Sequence, residues 1–199
     1  MTLRKYTTLR HAPLPSSVTL TRPYQAPQLK VTADSPAIEV MTDLYRITPV
    51  TVGPDITIEH ANSKMIDHRV RLLFVTDDEL KIQGIVTATD ILGEKPMAHI
   101  QRMGGTRSEI LVKDLMTPQA SLQVLNMADV HKARVGDIVA TLKEVGRQHT
   151  LVVEYDSQLG GQYVRGLFST TQIGKQLGTK IEVGDVAKTF AALERVLAS

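Results

Sequence analysis

The sequence contains no cysteine. That excludes disulfide scaffolds, thiolate zinc sites, iron–sulfur clusters and cysteine nucleophiles, and it fits a reducing compartment. An excess of charge is also missing. Lys and Arg number 23 against 21 Asp and Glu, leaving +2 over 199 residues. So small a balance argues against a nucleic-acid binder held by phosphate neutralisation. Long apolar runs are absent too. Leu72-Leu73-Phe74-Val75 is core-sized, far short of the ~20 residues that a spanning helix needs. Met1-Thr2-Leu3-Arg4-Lys5 has basic residues with no apolar stretch behind them, so the pattern of a signal peptide is lacking. A cytoplasmic protein without membrane attachment is expected. No Gly-x-x-x-x-Gly-Lys loop and no Gly-x-Ser-x-Gly elbow occurs, and the six histidines (His11, His60, His68, His99, His131, His149) show no metal-ligand spacing. Without a nucleophile–base pair or a metal set, no enzyme is expected.

What is present reads as an ordinary globular chain, 42% hydrophobic and 22% charged. Residues 1–36 hold Pro13, Pro15, Pro23, Pro27 and Pro36 and no glycine. Proline removes backbone donors and disfavours a helical residue before it, so this stretch reads as an extended arm. From about residue 38 the chain repeats itself. Ile38-Glu39-Val40-Met41-Thr42 returns as Lys113-Asp114-Leu115-Met116-Thr117, Leu73-Phe74-Val75 as Leu151-Val152-Val153, and Gly84-Ile85-Val86-Thr87 as Gly166-Leu167-Phe168-Ser169. The order is kept in both copies, which implies a duplicated unit packed against itself.

Each copy predicts β-α-β-β-α. In the first, Ile47–Val52 reads as a strand. Thr57 reads as the cap of a helix whose face is Ile58, Ala61, Met65 and Ile66. Val70–Thr76 and Lys81–Val86 read as strands about an Asp77-Asp78 turn, with a helix from Ala88. In the second copy Asp137 reads as the cap, with Ile138, Thr141, Leu142 and Val145 on one face. Thr150–Tyr155 and Tyr163–Phe168 read as strands about Gly160-Gly161, with a helix near Thr170. The expected fold class is thus α+β, in four parts: the arm over 1–36, a first unit with its linker over 37–110, a second unit over 111–182, and a C-terminal helix over 183–199. Pro96 and Gly104-Gly105 limit helix in the linker. The last helix carries an apolar stripe of Val186, Phe190, Leu193 and Leu197, which packs on its own core or on a partner. Met65, Met97, Met103 and Met127 read as fillers of core or interface gaps.

Gly84-Ile85-Val86-Thr87-Ala88-Thr89-Asp90 is the informative heptad. A strand ends at Thr87 and a helix begins at once. Gly84 permits close backbone approach, and Ile85 and Val86 offer apolar contact to a flat ring. The Asp90 carboxylate, in the first helical turn, can accept from two neighbouring hydroxyls, as on a ribose. The helix start favours a nearby phosphate, and Arg71 offers charge for it. The same Thr-x-x-Asp spacing is equally a capping box, with Thr87 capping and Asp90 capping back.

The order of Val40-Met41-Thr42, the capped helix, the Leu-x-Val strand and the Gly-h-h-Thr-x-x-Asp heptad, echoed from Asp114-Leu115-Met116-Thr117-Pro118 onward, resembles the CBS domain family, named for cystathionine β-synthase. The resemblance covers roughly residues 37–180. It implies a pseudo-twofold pair of CBS units whose central cleft binds an adenosine ligand such as AMP, ADP, ATP or S-adenosylmethionine, with no required cofactor. It implies that Thr87 and Asp90 hold the ribose and that Arg71 faces phosphate. A homodimer stacked through helix faces and an unidentified regulated protein are the implied partners. The second copy departs from the pattern. Ser169 keeps the hydroxyl, Gln172 replaces the aspartate, and Thr150 with His149 beside it stands where Arg71 does. At most one good nucleotide site per chain is therefore expected, with Ser169, Gln172 and His149 as a weaker second. The longer stretch Leu122–Val135 adds Asn126, Met127 and His131 as residues near the cleft. A ligand-free interaction or dimerisation module is the alternative reading.

Overall fold

Apolar alternation and helix caps build two units that repeat each other's topology, seen in a computed structural model that describes residues 31–157 and 160–183. The arm up to residue 30 and, from residue 184 on, the C-terminal helix expected over 183–199 lie outside the described residues. Chain order runs β1 (Thr42–Asp43), β2 (Thr51–Val52), α1 (Ile58–Asp67), β3 (Leu72–Thr76), β4 (Ile82–Thr87), α2 (Ala88–Leu92) and α3 (Lys95–Met103). It continues through α4 (Val112–Leu115), β5 (Thr117–Pro118), β6 (Val124–Asn126), α5 (Met127–Val130), α6 (Val135–Glu144), β7 (His149–Asp156), β8 (Gly161–Ser169) and α7 (Thr170–Leu177). The class is α+β, with two four-stranded sheets in the orders β2-β3-β4-β5 and β1-β8-β7-β6.

The sequence repeat and the packing unit are out of step. β1 precedes the first unit in the chain yet pairs antiparallel with β8 of the second. β5 precedes the second unit yet pairs antiparallel with β4 of the first. The cores follow the same exchange. Ala37 and Val40 are buried with Val135, Leu142, Phe168 and Ile173. Ile110, Val112 and Leu115 are buried with Ile58, Leu73, Val86 and Ile91. Boundaries at 37 and 111 mark the period of the sequence, while each lead-in segment crosses to the other unit. Backbone bonds fasten both crossings. Val112 and Lys113 donate to the Ile56 and Pro54 carbonyls, and Val135 and Gly136 donate to the Ser35 and Ala33 carbonyls. Each set satisfies amides at a helix start that have no partner inside the helix. Arg165 secures β1 further, pairing with Asp43, ion-pairing with Glu154 at 3.1 Å and lying 4.0 Å from the centre of the Tyr45 ring. Its hydrogen bonds hold the Asp43 carboxyl below the usual carboxylate range.

One of these crossings explains a departure from expectation. The carbonyls of Ser35 and Ala33 start α6 at Val135, so Asp137 sits in its first turn and bonds back to the Arg134 N–H at 2.8 Å rather than capping it. Pro96 does not prevent a helix over 95–103, because it stands in the first turn, where no partner for its missing N–H is needed. Thr57 caps α1 as expected, accepting from the His60 N–H at 3.3 Å, and Ile58, Ala61 and Met65 are buried. Ile66 and Val145, placed on the apolar faces by periodicity, are exposed near the helix ends, as are Met97 and Met103. Only two residues of the strand expected over Ile47–Val52 pair. The sheets meet through Leu72, Phe74, Ile85 and Leu151.

Gly84 and Gly166 are where the crossings touch. A Cβ on Gly84 would stand 2.5 Å from the Thr117 carbonyl oxygen and 3.2 Å from Pro118 Cα; on Gly166 it would stand 2.7 Å from the Thr42 carbonyl oxygen. Those neighbours are backbone and cannot swing away. Gly84→Ala is expected to cost about 1–3 kcal/mol in urea unfolding. Gly53→Ala, with no atom within 4 Å of the added carbon, is the control and leaves stability within about 0.5 kcal/mol.

Candidate functional site

A cleft of about 510 Å³ opens where the ends of β4 and α2 face the start of β7, with Ile85, Thr87 and Asp90 on one wall and Gln148, His149 and Thr150 on the other. The antiparallel hairpins create it. In each, the strand that leads into a helix ends beside the start of its partner: Thr87 pairs with Leu72, and Ser169 with His149. A hydrogen bond of 3.3 Å from the Thr89 hydroxyl to Gln148 Oε1 spans the two units.

Thr87 and Asp90 form a complete capping box. Asp90 Oδ2 accepts from the Thr87 N–H at 2.8 Å and from the Thr87 hydroxyl at 2.6 Å, while the Asp90 N–H donates to Thr87 Oγ1 at 3.3 Å. The other carboxylate oxygen, Oδ1, pairs with Lys95 Nζ at 2.5 Å. The capping reading of the spacing is therefore realised, and the same aspartate still lines the cleft. Its side chain is only 12% exposed, so these partners compensate the cost of burying its charge. Lys95 lies outside the heptad and outside every other motif of the sequence. Its spacing five residues after Asp90, across the glycine at 93, carries no helical or strand signature, and only the turn between α2 and α3 brings the two together.

The other expected residues are dispersed. Ile85 lines the cleft and is 8% exposed. Val86 is fully buried in the first core, on the opposite face of the strand, so it cannot contact a ligand. Gly84 lies under β5 and serves the crossing of the lead-in segment. Arg71 is exposed and does not line the cleft, although its carbonyl accepts from the Ala88 N–H at 2.9 Å and anchors the start of α2. Ser169 begins α7 with no side-chain capping bond, and Gln172 is exposed. Neither residue lines the cleft. Met127 is buried in the second core, Asn126 caps α5 by accepting from the Ala128 N–H at 2.9 Å, and His131 is exposed at the end of that helix. Of that stretch Leu122 and Gln123 reach the cleft. Among the described residues no group of three or more acidic or histidine side chains is arranged to hold a metal ion, and no helix is long and apolar enough to cross a membrane.

His149 belongs to the same cleft as Thr87 and Asp90. Burial pushes its pKa down to about 4, the Arg71 guanidinium adds repulsion, and Asp90 opposes both. The unfolded imidazole titrates near 6.5 and takes up a proton that the folded one refuses. This contribution to stability is therefore complete above about pH 6.5 and is lost as the pH falls toward 4. Urea unfolding of wild type and His149→Gln between pH 7.5 and 4.5 is expected to converge on a difference of up to about 3 kcal/mol in pH-dependent stability. Parallel curves for the two proteins would contradict it.

Residues 37–96 match the model of the CBS domain. No curated protein matches the chain in sequence. Among solved structures, an uncharacterized conserved protein from Pyrococcus horikoshii is similar at a TM-score of 0.53 and 21% identity, over 77% of this chain and 100% of that one. A CBS-domain containing protein from Agrobacterium tumefaciens is similar at 0.50 and 22%, over 67% of this chain and 88% of that one. These likenesses extend over both units and describe the fold.

Proposed function

We propose that this chain, whose residues 37–96 match the CBS domain and whose fold is that of a CBS-domain containing protein, is a ligand-sensing regulatory module that binds an adenine nucleotide in the cleft between its units. The observation that carries this reading is Asp90, a nearly buried carboxylate at the cleft wall, in the first turn of the helix that follows β4, whose Ile85 also lines the cleft. A carboxylate has about four acceptor positions. Among the described residues three are used, by the Thr87 N–H, the Thr87 hydroxyl and Lys95. A ribose diol would take the fourth and exchange with one of the others. An aromatic base would lie against Ile85 and Leu151. One such site exists per chain in this reading, because Gln172 and Ser169 stand outside the cleft. The module acts on a regulated protein or on its own dimer rather than by turnover, and a signal requires that the ligand bind two arrangements of the units with different affinity.

A second reading, a ligand-free interaction or dimerisation module, is favoured by the same carboxylate, whose two oxygens are engaged within the chain. Titration calorimetry with AMP, ADP, ATP and S-adenosylmethionine separates the two. The nucleotide reading expects saturable binding at one site per chain, weakened ten- to a hundredfold in Asp90→Ala, about 1.5–3 kcal/mol. Circular dichroism checks that the variant keeps its fold without the cap. Absence of heat with all four ligands favours the second reading, and undiminished binding by the variant removes Asp90 from the site.

A further inference from the structure

We infer that Lys95 is a resident occupant of Asp90 Oδ1, which an incoming sugar diol must displace, so that Lys95 sets the affinity of the cleft; this rests on the nucleotide reading above. The two oxygens of Asp90 are not equivalent. Oδ2 is bound to Thr87 through its backbone N–H and its hydroxyl, and that pair closes the capping box at the start of α2. Giving it up would undo the cap. Among the described residues, Oδ1 is held by Lys95 alone, at 2.5 Å. The ammonium sits on a half-exposed side chain and regains water readily when released, unlike a backbone donor. A diol needs two acceptor positions, and one has no partner among the described residues. The second comes at least cost from Lys95.

The ammonium has another tie. Lys95 Nζ also donates to the Leu115 carbonyl at 3.2 Å, at the end of α4. α4 and β5 form the lead-in segment that crosses from the second repeat to the first unit. Lys95 therefore joins the cleft carboxylate to the segment that binds the units together. Exchange of Lys95 for a sugar releases one end of that tie, so occupancy of the cleft is felt at the crossing. No feature of the sequence motif contains this residue.

The test compares wild type, Lys95→Met and Lys95→Gln by titration calorimetry with adenosine, AMP and 2′-deoxyadenosine, after thermal unfolding has verified that all three proteins fold. Removing the competitor is expected to tighten adenosine and AMP roughly three- to tenfold in both variants. 2′-Deoxyadenosine, which lacks the vicinal diol, gains nothing. Adenosine has no phosphate, so its gain cannot come from altered attraction of an anion. Equal or weaker binding of adenosine by the variants overturns the role of Lys95 while the nucleotide reading stands. A gain shared by 2′-deoxyadenosine overturns the exchange with the diol. If none of the proteins binds adenosine or AMP, both the nucleotide reading and the displacement fall.

Discussion

The close passage of two lead-in segments over Gly84 and Gly166 is the constraint from which the rest of the molecule follows. At each glycine a carbonyl oxygen of the crossing strand occupies the space of a side chain. The crossing gives each sheet its fourth strand from the other copy and gives each core apolar residues from the other copy, Ala37 and Val40 in one direction, Ile110, Val112 and Leu115 in the other. Neither unit has a closed core of its own. The exchange ties the two units together, and the sheet-to-sheet contact of Leu72, Phe74 and Ile85 with Leu151 sets them face to face beside the cleft.

The cleft inherits its chemistry from the hairpin ends that this arrangement aligns. Asp90 caps a helix, pairs with Lys95 and lines the opening at the same time. A structural role and a binding role do not exclude each other here, because a carboxylate offers more acceptor positions than a cap consumes. The low pKa of His149 has the same origin. The hairpin that places Thr87 beside the start of β3 brings Arg71 near the imidazole, while packing of the two units withdraws water from it.

The departures of the second copy have a physical meaning in this frame. Gln172 stands where Asp90 stands in the first copy, and the junction it follows has no side-chain cap. α7 is instead a longer helix, ended by Gly178 and packed through Ile173 on the second core. The first junction holds a short helix by a charged cap, and the second holds a longer one by packing. Only the first places a carboxylate at the opening between the units.

Much of this was legible in the residues. Thr57 as a cap, the fully buried run Leu72–Thr76, the hairpins about Asp77-Asp78 and Gly160-Gly161, and the Thr87–Asp90 pairing are local matters of period, turn chemistry and capping, and local interactions leave local signatures. The duplication was legible because its order survives divergence. The partner of each lead-in segment was not, since a strand's period states which face is buried and not which sheet buries it. Lys95 was hidden for the same reason: its contact with Asp90 depends on a turn between helices and on α4 beneath it. The inward direction of Val86 and the position of His149 in the same cleft as Asp90 also required the assembled pair. The sequence alone determined the two repeats, their elements and the aspartate. The tertiary structure decided the exchange between them and the company that aspartate keeps, because contacts between residues far apart in the chain arise from packing and carry no spacing to read.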